Sequence, residues 1–307
     1  MAKVFVDGSA GTTGLRILER LAVRSDIQLI TLADEVRKDP EARRCALNEA
    51  DIAILCLPDA AAVEAAELVT DPDTVLIDTS TAHRTDPAWT YGFPELTGQR
   101  EKIKYAKRIA NPGCHASGFI SLIAPLVEKG LLSADAQLTC FSLTGYSGGG
   151  KKMIAEYEDA DRSQLLDSPR MYGISQSHKH LPEMVKVCGL TIAPIFMPIV
   201  ADYYAGMEVV VPVFRSQLNG SADDVRALYA AYYQTGLIRY ADSADESGFF
   251  AANAYQTLDT MQVTVSGNAD RILLTARFDN LGKGASGAAI QNMNIVLGAD
   301  EFAGLNV

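Results

Sequence analysis

Apolar runs of strand length alternate with amphipathic segments through the first hundred residues. Residues 3–7 form a short apolar run, and residues 13–23 carry Leu15, Leu18, Leu21 and Ala22 on one face at helical spacing. Residues 27–33, 51–57 and 74–78 read as a second, third and fourth strand. An alanine-rich helix at 60–69 separates the last two, and one small helix fits around 40–47. Such alternation predicts a parallel sheet with right-handed crossovers, because a parallel neighbour is reached only by a long connection across the sheet face. After an apolar helical run at 119–132 the pattern changes. Longer strand-like segments follow at 136–144, 190–200, 207–214, 262–266 and 272–278, with helices at 181–187 and 223–234. They predict a mixed or antiparallel sheet with helices on one face. Residues 242–254 show no period and are expected to be loop. Residues 284–297 return to helical spacing and are expected to pack back on the first half.

Composition narrows the partners. At 307 residues two domains are expected, and 27 basic against 38 acidic residues give a net charge of −11. No basic run exceeds two residues, which argues against nucleic acid and anionic membrane as partners. The most apolar stretch, 190–200, is broken by Pro194 and Pro198 and is too short to span a bilayer. No charged-then-apolar leader precedes Val4-Phe5-Val6. Cysteines 45, 56, 114, 140 and 188 are odd in number and form no C-x-x-C pair, so neither a disulfide framework nor a metal site is expected. The expectation is a reduced, cytoplasmic chain.

Gly8-Ser9-Ala10-Gly11-Thr12-Thr13-Gly14 follows the first strand and opens the first helix. Glycines there permit a tight turn and close backbone approach to a pyrophosphate, which the helix N-terminus attracts. The spacing is G-x-x-G-x-x-G rather than G-x-G-x-x-G, and a plain strand–helix turn is the competing reading. After the second strand, Asp34-Glu35 would suit the ribose hydroxyls of NAD, whereas Arg37-Lys38 would suit the 2′-phosphate of NADP. NADP is the expected cofactor. The predicted class is α/β: a Rossmann-like dinucleotide-binding domain over 1–113, completed by a C-terminal helix in 284–307, and an α+β catalytic and oligomerisation domain over 114–283.

Asn111-Pro112-Gly113-Cys114-His115 places a thiol after a Pro-Gly turn and before an apolar helix. Unpaired N–H groups and the helix dipole favour a thiolate there, the reactive form of cysteine. The competing reading is a buried cysteine capping a core helix. His178-Lys179-His180-Leu181-Pro182-Glu183 holds two of the four histidines. At a helix start Glu183 could orient His180, making His180 the candidate acid/base and His178 a substrate or structural contact. Gly145-Tyr146-Ser147-Gly148-Gly149-Gly150-Lys151-Lys152 can curl into an anion nest, with Ser147 and Gly148 as contacts, or be a flexible hairpin loop. The segment from Asp78 to Arg84 ends the fourth strand, where doubly wound folds bind ligands. Ser80 is its candidate for the cofactor and Arg84 its candidate for a carboxylate or phosphate. Asn111 is a further candidate substrate contact.

Taken together these motifs resemble the N-acetyl-γ-glutamyl-phosphate reductase family, in the shorter of its two types. The resemblance is carried by Gly8–Gly14, Ile77-Asp78-Thr79-Ser80-Thr81-Ala82-His83-Arg84, Tyr91-Gly92-Phe93-Pro94-Glu95-Leu96, Ala110–Cys114, Gly145–Lys151, His178–Glu183 and Asp279–Gly287, in family order over nearly the whole chain. It implies NADPH-dependent reduction of an acyl phosphate in arginine biosynthesis, with catalytic roles on Cys114 and on one of His178 and His180. It also implies that Asn280 and Gly284 belong to a segment closing over the nicotinamide. A homo-oligomer, dimer or tetramer, is expected, with a small-molecule acyl phosphate as substrate. The alternatives are aspartate-semialdehyde dehydrogenase chemistry, on an acyl phosphate one methylene shorter, and an NADP-binding redox sensor whose Cys114 only oxidises.

Overall fold

The computed structural model describes every residue except Asp245 and divides the chain into two compact units. The first contains residues 1–113 with 285–306, the second residues 114–284 with Val307. The first unit runs β1 (Ala2–Asp7), α1 (Thr12–Leu21), β2 (Ile27–Ile30), α2 (Pro40–Glu49), β3 (Ile52–Leu55), α3 (Asp59–Glu67), β4 (Val75–Asp78), β5 (Thr90–Tyr91), α4 (Gln99–Lys104) and β6 (Arg108–Ala110). The second runs α5 (Cys114–Glu128), β7 (Thr139–Gly145), α6 (Gly150–Glu158), β8 (Arg170–Met171), α7 (Leu181–Cys188), β9 (Ile195–Ala201), β10 (Met207–Phe214), α8 (Ala222–Tyr232), β11 (Ile238–Tyr240), β12 (Met261–Gly267) and β13 (Arg271–Phe278). The chain then returns to the first unit as α9 (Gly287–Leu297).

The first sheet has the order β2-β1-β3-β4-β6-β5 and is parallel throughout. Its inner strands β3 and β4 are buried on both faces, as continuous apolar runs require. Val4 and Val6 pack with Ile54, Ile77, Ile109 and the α9 residues Ile290 and Met293. Phe5 points the other way, onto Leu47 of α2 and Ala65 of α3. The return of the C-terminal helix to this unit follows the expectation from its spacing. One helix face differs from the pattern. Leu15 is exposed, and α1 buries Gly14, Ile17 and Leu21 instead. A Cβ at Gly14 would lie 2.7 Å from the Gly8 carbonyl oxygen, so the close approach of helix to turn sets the rotation of α1. The short β5, α4 and β6 were not foreseen, because strands of two or three residues carry no measurable period.

α9 also contradicts a simple reading of its polar positions, since Gln291, Asn292 and Asn294 are all buried. Gln291 donates to Glu95 (2.8 Å) and Glu301 (2.7 Å), and Asn292 donates to the Gly92 carbonyl (2.9 Å). A Cβ at Gly92 would stand 2.5 Å from the Asn292 amide nitrogen. The Tyr-Gly-Phe-Pro-Glu motif is therefore the seat of α9, with Gly92 making room and Glu95 supplying an acceptor.

The second sheet has the order β11-β12-β13-β10-β7-β9-β8 and is mixed. β10 pairs antiparallel with β13 and β7, whereas β7 and β9 run parallel. α5 and α8 cover one face. On the other, Phe141, Ile195, Phe214 and Leu273 are exposed, and register sets Val210 directly beside Phe141. The aperiodic stretch after Asp242 is made of turns, apart from a bridge between Glu246 and Phe249; Asp245 lies outside the described residues. Among the described residues no helix is long and apolar enough to cross a membrane.

Close packing of α5 on this sheet makes a testable point. A Cβ at Gly118 would fall 2.4 Å from Val209 Cγ2 and 3.0 Å from a ring carbon of Phe278. Gly118→Ala is expected to destabilise by ~1–3 kcal/mol, the usual range for overpacking. Val209→Ala in the same chain should recover part of the loss in a denaturant titration, whereas additive losses would show that the helix does not press on Val209.

Candidate active site

The candidate thiol, Cys114, stands where the chain passes from the first unit to the second. Asn111 follows β6, and all four of its polar groups are engaged. Its backbone N–H donates to the Asp78 carbonyl (2.7 Å), and its carbonyl accepts from Arg84 Nε (3.0 Å). The side-chain amide donates to the Ala285 carbonyl (3.1 Å) and accepts from Asn292 (3.1 Å). Asn111 is 1% exposed. The expected substrate contact is thus a clamp on the backbone, because its amide already serves the fold. Arg84 is buried as well, and its Nη2 donates to the Thr79 carbonyl (2.9 Å). Two guanidinium nitrogens therefore brace the loop ends after β4 and β6.

Pro112 and Gly113 then lead into α5, whose first residue is Cys114. Its thiol is partly accessible. Gly284 lies against it, since a Cβ there would be 3.0 Å from Cys114 Cβ. Three other cysteines contrast with it. Burial pushes the Cys56 thiol up to about 12 and raises those of Cys140 and Cys188 well above the ordinary range.

Three of the four histidines gather in this unit. The His178 and His180 rings are 4.9 Å apart, and the His115 ring lies 5.8 Å from the first and 5.5 Å from the second. His180 is the N-cap of α7, and its backbone N–H donates to His178 Nδ1 (3.3 Å). Burial, reinforced by Lys179, lowers the pKa of His178, so the ring is neutral near pH 7 and able to accept a proton. Glu183 is buried in the first turn of α7. His115 was not foreseen. Its place beside Cys114 was the available signal, but only the helical turn and the Ser142 and Tyr172 side chains bring it into the cluster.

The glycine-rich loop is not a hairpin. Tyr146–Gly149 form a 3₁₀ turn that runs straight into α6, with Lys151 and Lys152 exposed in its first turn. Ser147 is buried and accepts from the Asn280 amide (3.0 Å), whose oxygen accepts from the Gly206 N–H (2.9 Å). Gly148 is exposed. Asn280 therefore ties the loop to the turn before β10, within the second unit.

In the first unit a cleft of about 720 Å³ is lined by Gly8, Ser9, Ala10 and Gly11, and by Asp34, Arg37, Lys38 and Arg43. Gly8 has φ +81°, and a Cβ on it would strike the Cys56 carbonyl oxygen at 2.3 Å, so this turn admits glycine alone. Gly11 caps α1 without a side-chain acceptor, leaving its amides directed at the cleft end of the helix. Thr12 Oγ1 is buried there with no hydrogen-bond partner among the described residues. Three cations and a bare helix N-terminus fit a phosphorylated dinucleotide. Arg43 was not foreseen; Asp7 holds it by a 2.7 Å ion pair, a contact no local motif announces. Ser80 is drawn away from the cleft by Asp78, which accepts from its N–H (2.9 Å) and its hydroxyl (2.7 Å). Asp78 also lies 2.7 Å from His83 Nδ1, and that ring stacks on Trp89 at 4.0 Å. Thr13 and Gly14 belong to the first turn of α1.

A glycine-turn nucleotide cleft in one unit and a helix-borne thiol with histidines in the other define a class of two-domain, thiol-dependent dehydrogenases. Residues 3–106 match the semialdehyde dehydrogenase NAD binding domain and residues 114–280 the semialdehyde dehydrogenase dimerisation domain, so the chain belongs to the semialdehyde dehydrogenase family. Within it, the chain is 44% identical to N-acetyl-gamma-glutamyl-phosphate reductase 2 of Nostoc sp., over 99% of both chains. It is 43% identical to N-acetyl-gamma-glutamyl-phosphate reductase of Burkholderia lata, over 98% of both. A solved structure of a probable aspartate-semialdehyde dehydrogenase from Pseudomonas aeruginosa shares the fold with a TM-score of 0.73 at 18% identity, covering 96% of this chain and 98% of that one.

Accessibility and burial together predict the labelling pattern of the thiols. Near pH 8, close to ordinary thiol pKa values, iodoacetamide should modify Cys114 and the exposed Cys45 and leave the buried Cys140 and Cys188 unmodified in the folded protein. Cys56 is as half-buried as Cys114, but its thiol is pushed up to about 12 and should react more slowly. Peptide mass mapping checks this. A Cys114 as slow as Cys140 would remove it as the reactive thiol.

Proposed function

We propose that the protein reduces N-acetyl-γ-glutamyl phosphate to N-acetylglutamate 5-semialdehyde and phosphate with NADPH, in the cytoplasm and as a step of arginine biosynthesis. The observation that carries this reading is Cys114 at the start of α5, in one unit with the His115, His178 and His180 rings. The relatives between 41 and 44% identical are named for this reaction, whereas aspartate-semialdehyde dehydrogenases are similar in fold at 14–18% identity. Neither the shorter substrate nor a purely redox-sensing role is favoured.

In this reading the Cys114 thiolate attacks the γ-acyl carbon, and backbone N–H groups of the first turn of α5 stabilise the tetrahedral oxyanion. Phosphate departs toward the glycine loop, with Ser147 and Gly148, leaving a thioester on Cys114. Gly8–Gly11 would hold NADPH along the turn, with Arg37, Lys38 and Arg43 about its 2′-phosphate, and the bound cofactor would supply the hydride that reduces the thioester. His180 takes the thiol proton and later returns one to the thiohemiacetal oxygen, with Glu183 beside it in sequence and His178 against the substrate. Collapse of the thiohemiacetal releases the aldehyde and restores the thiol.

The open face of the second sheet supports a homodimer. Phe141 and Leu273 are both more than a third exposed, and Ile195 and Phe214 are about 60% exposed, on one face of adjoining strands. Apolar area of this kind is covered in stable assemblies.

Phosphate-dependent NADP⁺ reduction with N-acetylglutamate semialdehyde, measured beside aspartate semialdehyde, tests the substrate; a preference for the latter would overturn the reading. Cys114→Ser should abolish turnover and leave NADPH binding nearly intact, since an alkoxide forms far less readily than a thiolate. Arg37→Ala with Lys38→Ala should raise KM for NADPH roughly tenfold, the scale of a lost charge-assisted contact, with KM for NADH little changed. His180→Asn should lower kcat by ~10²–10⁴, with His178→Asn acting mainly through KM. An exchange of these two phenotypes would transfer the acid/base role to His178, the more exposed ring.

A further inference from the structure

Asn280 and Ser147 form a buried pair whose direction is fixed, and one hydrogen of the pair is left over. Both residues are 1% exposed. The Gly206 backbone N–H donates to Asn280 Oδ1 (2.9 Å), and Asn280 Nδ2 lies 3.0 Å from Ser147 Oγ. A backbone N–H can only donate, so the side-chain oxygen of Asn280 must face Gly206 and its amide nitrogen must face Ser147. The Ser147 oxygen therefore accepts, and its own hydrogen cannot return to Asn280. Among the described residues that hydrogen has no acceptor. An unmade buried donor is costly, so a hydroxyl kept in this state is set for an oxygen that arrives with a ligand.

The first amides of the glycine loop are already committed to the fold. The backbone N–H groups of Gly145, Tyr146 and Ser147 donate to the carbonyls of Gly206 (3.0 Å), Tyr203 (2.9 Å) and Tyr204 (3.0 Å). The loop thus meets an anion with the Ser147 hydroxyl rather than with those three amides. Gly148 lies over the pair. It is exposed, and a Cβ on it would stand 3.3 Å from Asn280 Nδ2, so the absent side chain keeps the amide close beneath the loop surface. The pair also adjoins the thiol. The Gly284 N–H donates to the Asp279 carbonyl (3.1 Å), part of the peptide that enters Asn280. A Cβ on Gly284 would be 3.0 Å from Cys114 Cβ.

We propose that Asn280 is a positioning residue that holds the Ser147 hydroxyl outward as a hydrogen-bond donor to a phosphate oxygen. The inference rests on the reading of this unit as the acyl-phosphate site, which makes the oxygen that of the substrate's phosphoryl group; the cofactor's phosphates are the other source of the same chemistry. No proton is transferred. The role differs from the nicotinamide contact that the family resemblance implies for Asn280, because its oxygen and one amide N–H are engaged within the second unit.

The test is calorimetric binding in two titrations, with thermal melting as a check on folding: inorganic phosphate into NADP⁺-saturated protein, and NADP⁺ into the free protein. Ser147→Ala should weaken phosphate binding roughly tenfold, the scale of one lost hydrogen bond to an anion, and leave NADP⁺ binding unchanged. The opposite split would keep the donor role and move it to the cofactor's phosphates. Asn280→Asp retains an acceptor for the Gly206 N–H but turns a second oxygen toward Ser147, which then donates inward. It should weaken phosphate binding at least as much as Ser147→Ala. In the Ser147→Ala background the same change should have a clearly smaller effect. An equal effect there would show that the added charge acts alone and would overturn the positioning role. In turnover both single variants should raise KM for phosphate, with KM for the semialdehyde nearly unchanged. Unchanged affinity for both ligands in Ser147→Ala overturns the proposal by itself, even if Asn280→Asp folds poorly. Neither titration needs a semialdehyde, so a failed substrate assignment would leave the binding result standing.

Discussion

The structure depends on how the chain is held at the two points where it leaves and re-enters the first unit. Asn111 governs both. Its backbone is bonded to Asp78 and Arg84, and its amide joins the Ala285 carbonyl to Asn292 of α9. A buried amide left without partners costs about 1–3 kcal/mol, so none of these bonds can be exchanged freely. In the second unit Cys114 and Gly284 stand at the corresponding chain positions, with their carbons in close contact. The thiol is thus flanked in sequence by a clamp that gives Pro112 and Gly113 a fixed start. In the proposed reaction Cys114 is the nucleophile and would need such a start, because small displacements at a reacting atom are expensive in rate.

The polar residues of α9 belong to the same device. A helix at the end of a chain would ordinarily bury an apolar stripe and expose its amides. Here the apolar stripe packs on β1, β3 and β4, while Gln291 and Asn292 face the loops that follow β5 and β6. Burying them is eased by acceptors for their amide N–H groups: Glu95, Glu301, the Gly92 carbonyl and Asn111. The helix thereby selects one conformation of those loops.

Burial acts in opposite directions on the thiols and on the imidazoles. Desolvation raises the pKa values of Cys56, Cys140 and Cys188 and removes them as competing nucleophiles. The same effect lowers the pKa values of His115 and His178 and keeps those rings neutral. At the start of α5, Cys114 escapes the full burial of Cys140 and Cys188.

The sequence by itself determined the parallel first sheet, the mixed second sheet, the glycine turn and the position of the thiol. Each of these rests on local rules: a strand or helix period, a backbone angle that only glycine adopts, or a turn ahead of a helix. The tertiary structure decided the rotation of α1, the clamp role of Asn111, the ion pair that draws Arg43 into the cleft, and the recruitment of His115, Ser142 and Tyr172. His115 and Tyr172 are separated by 57 residues and Asn111 and Asn292 by 181. Contacts at that range leave no periodicity in the chain, because they depend on which side chains two packed elements bring together.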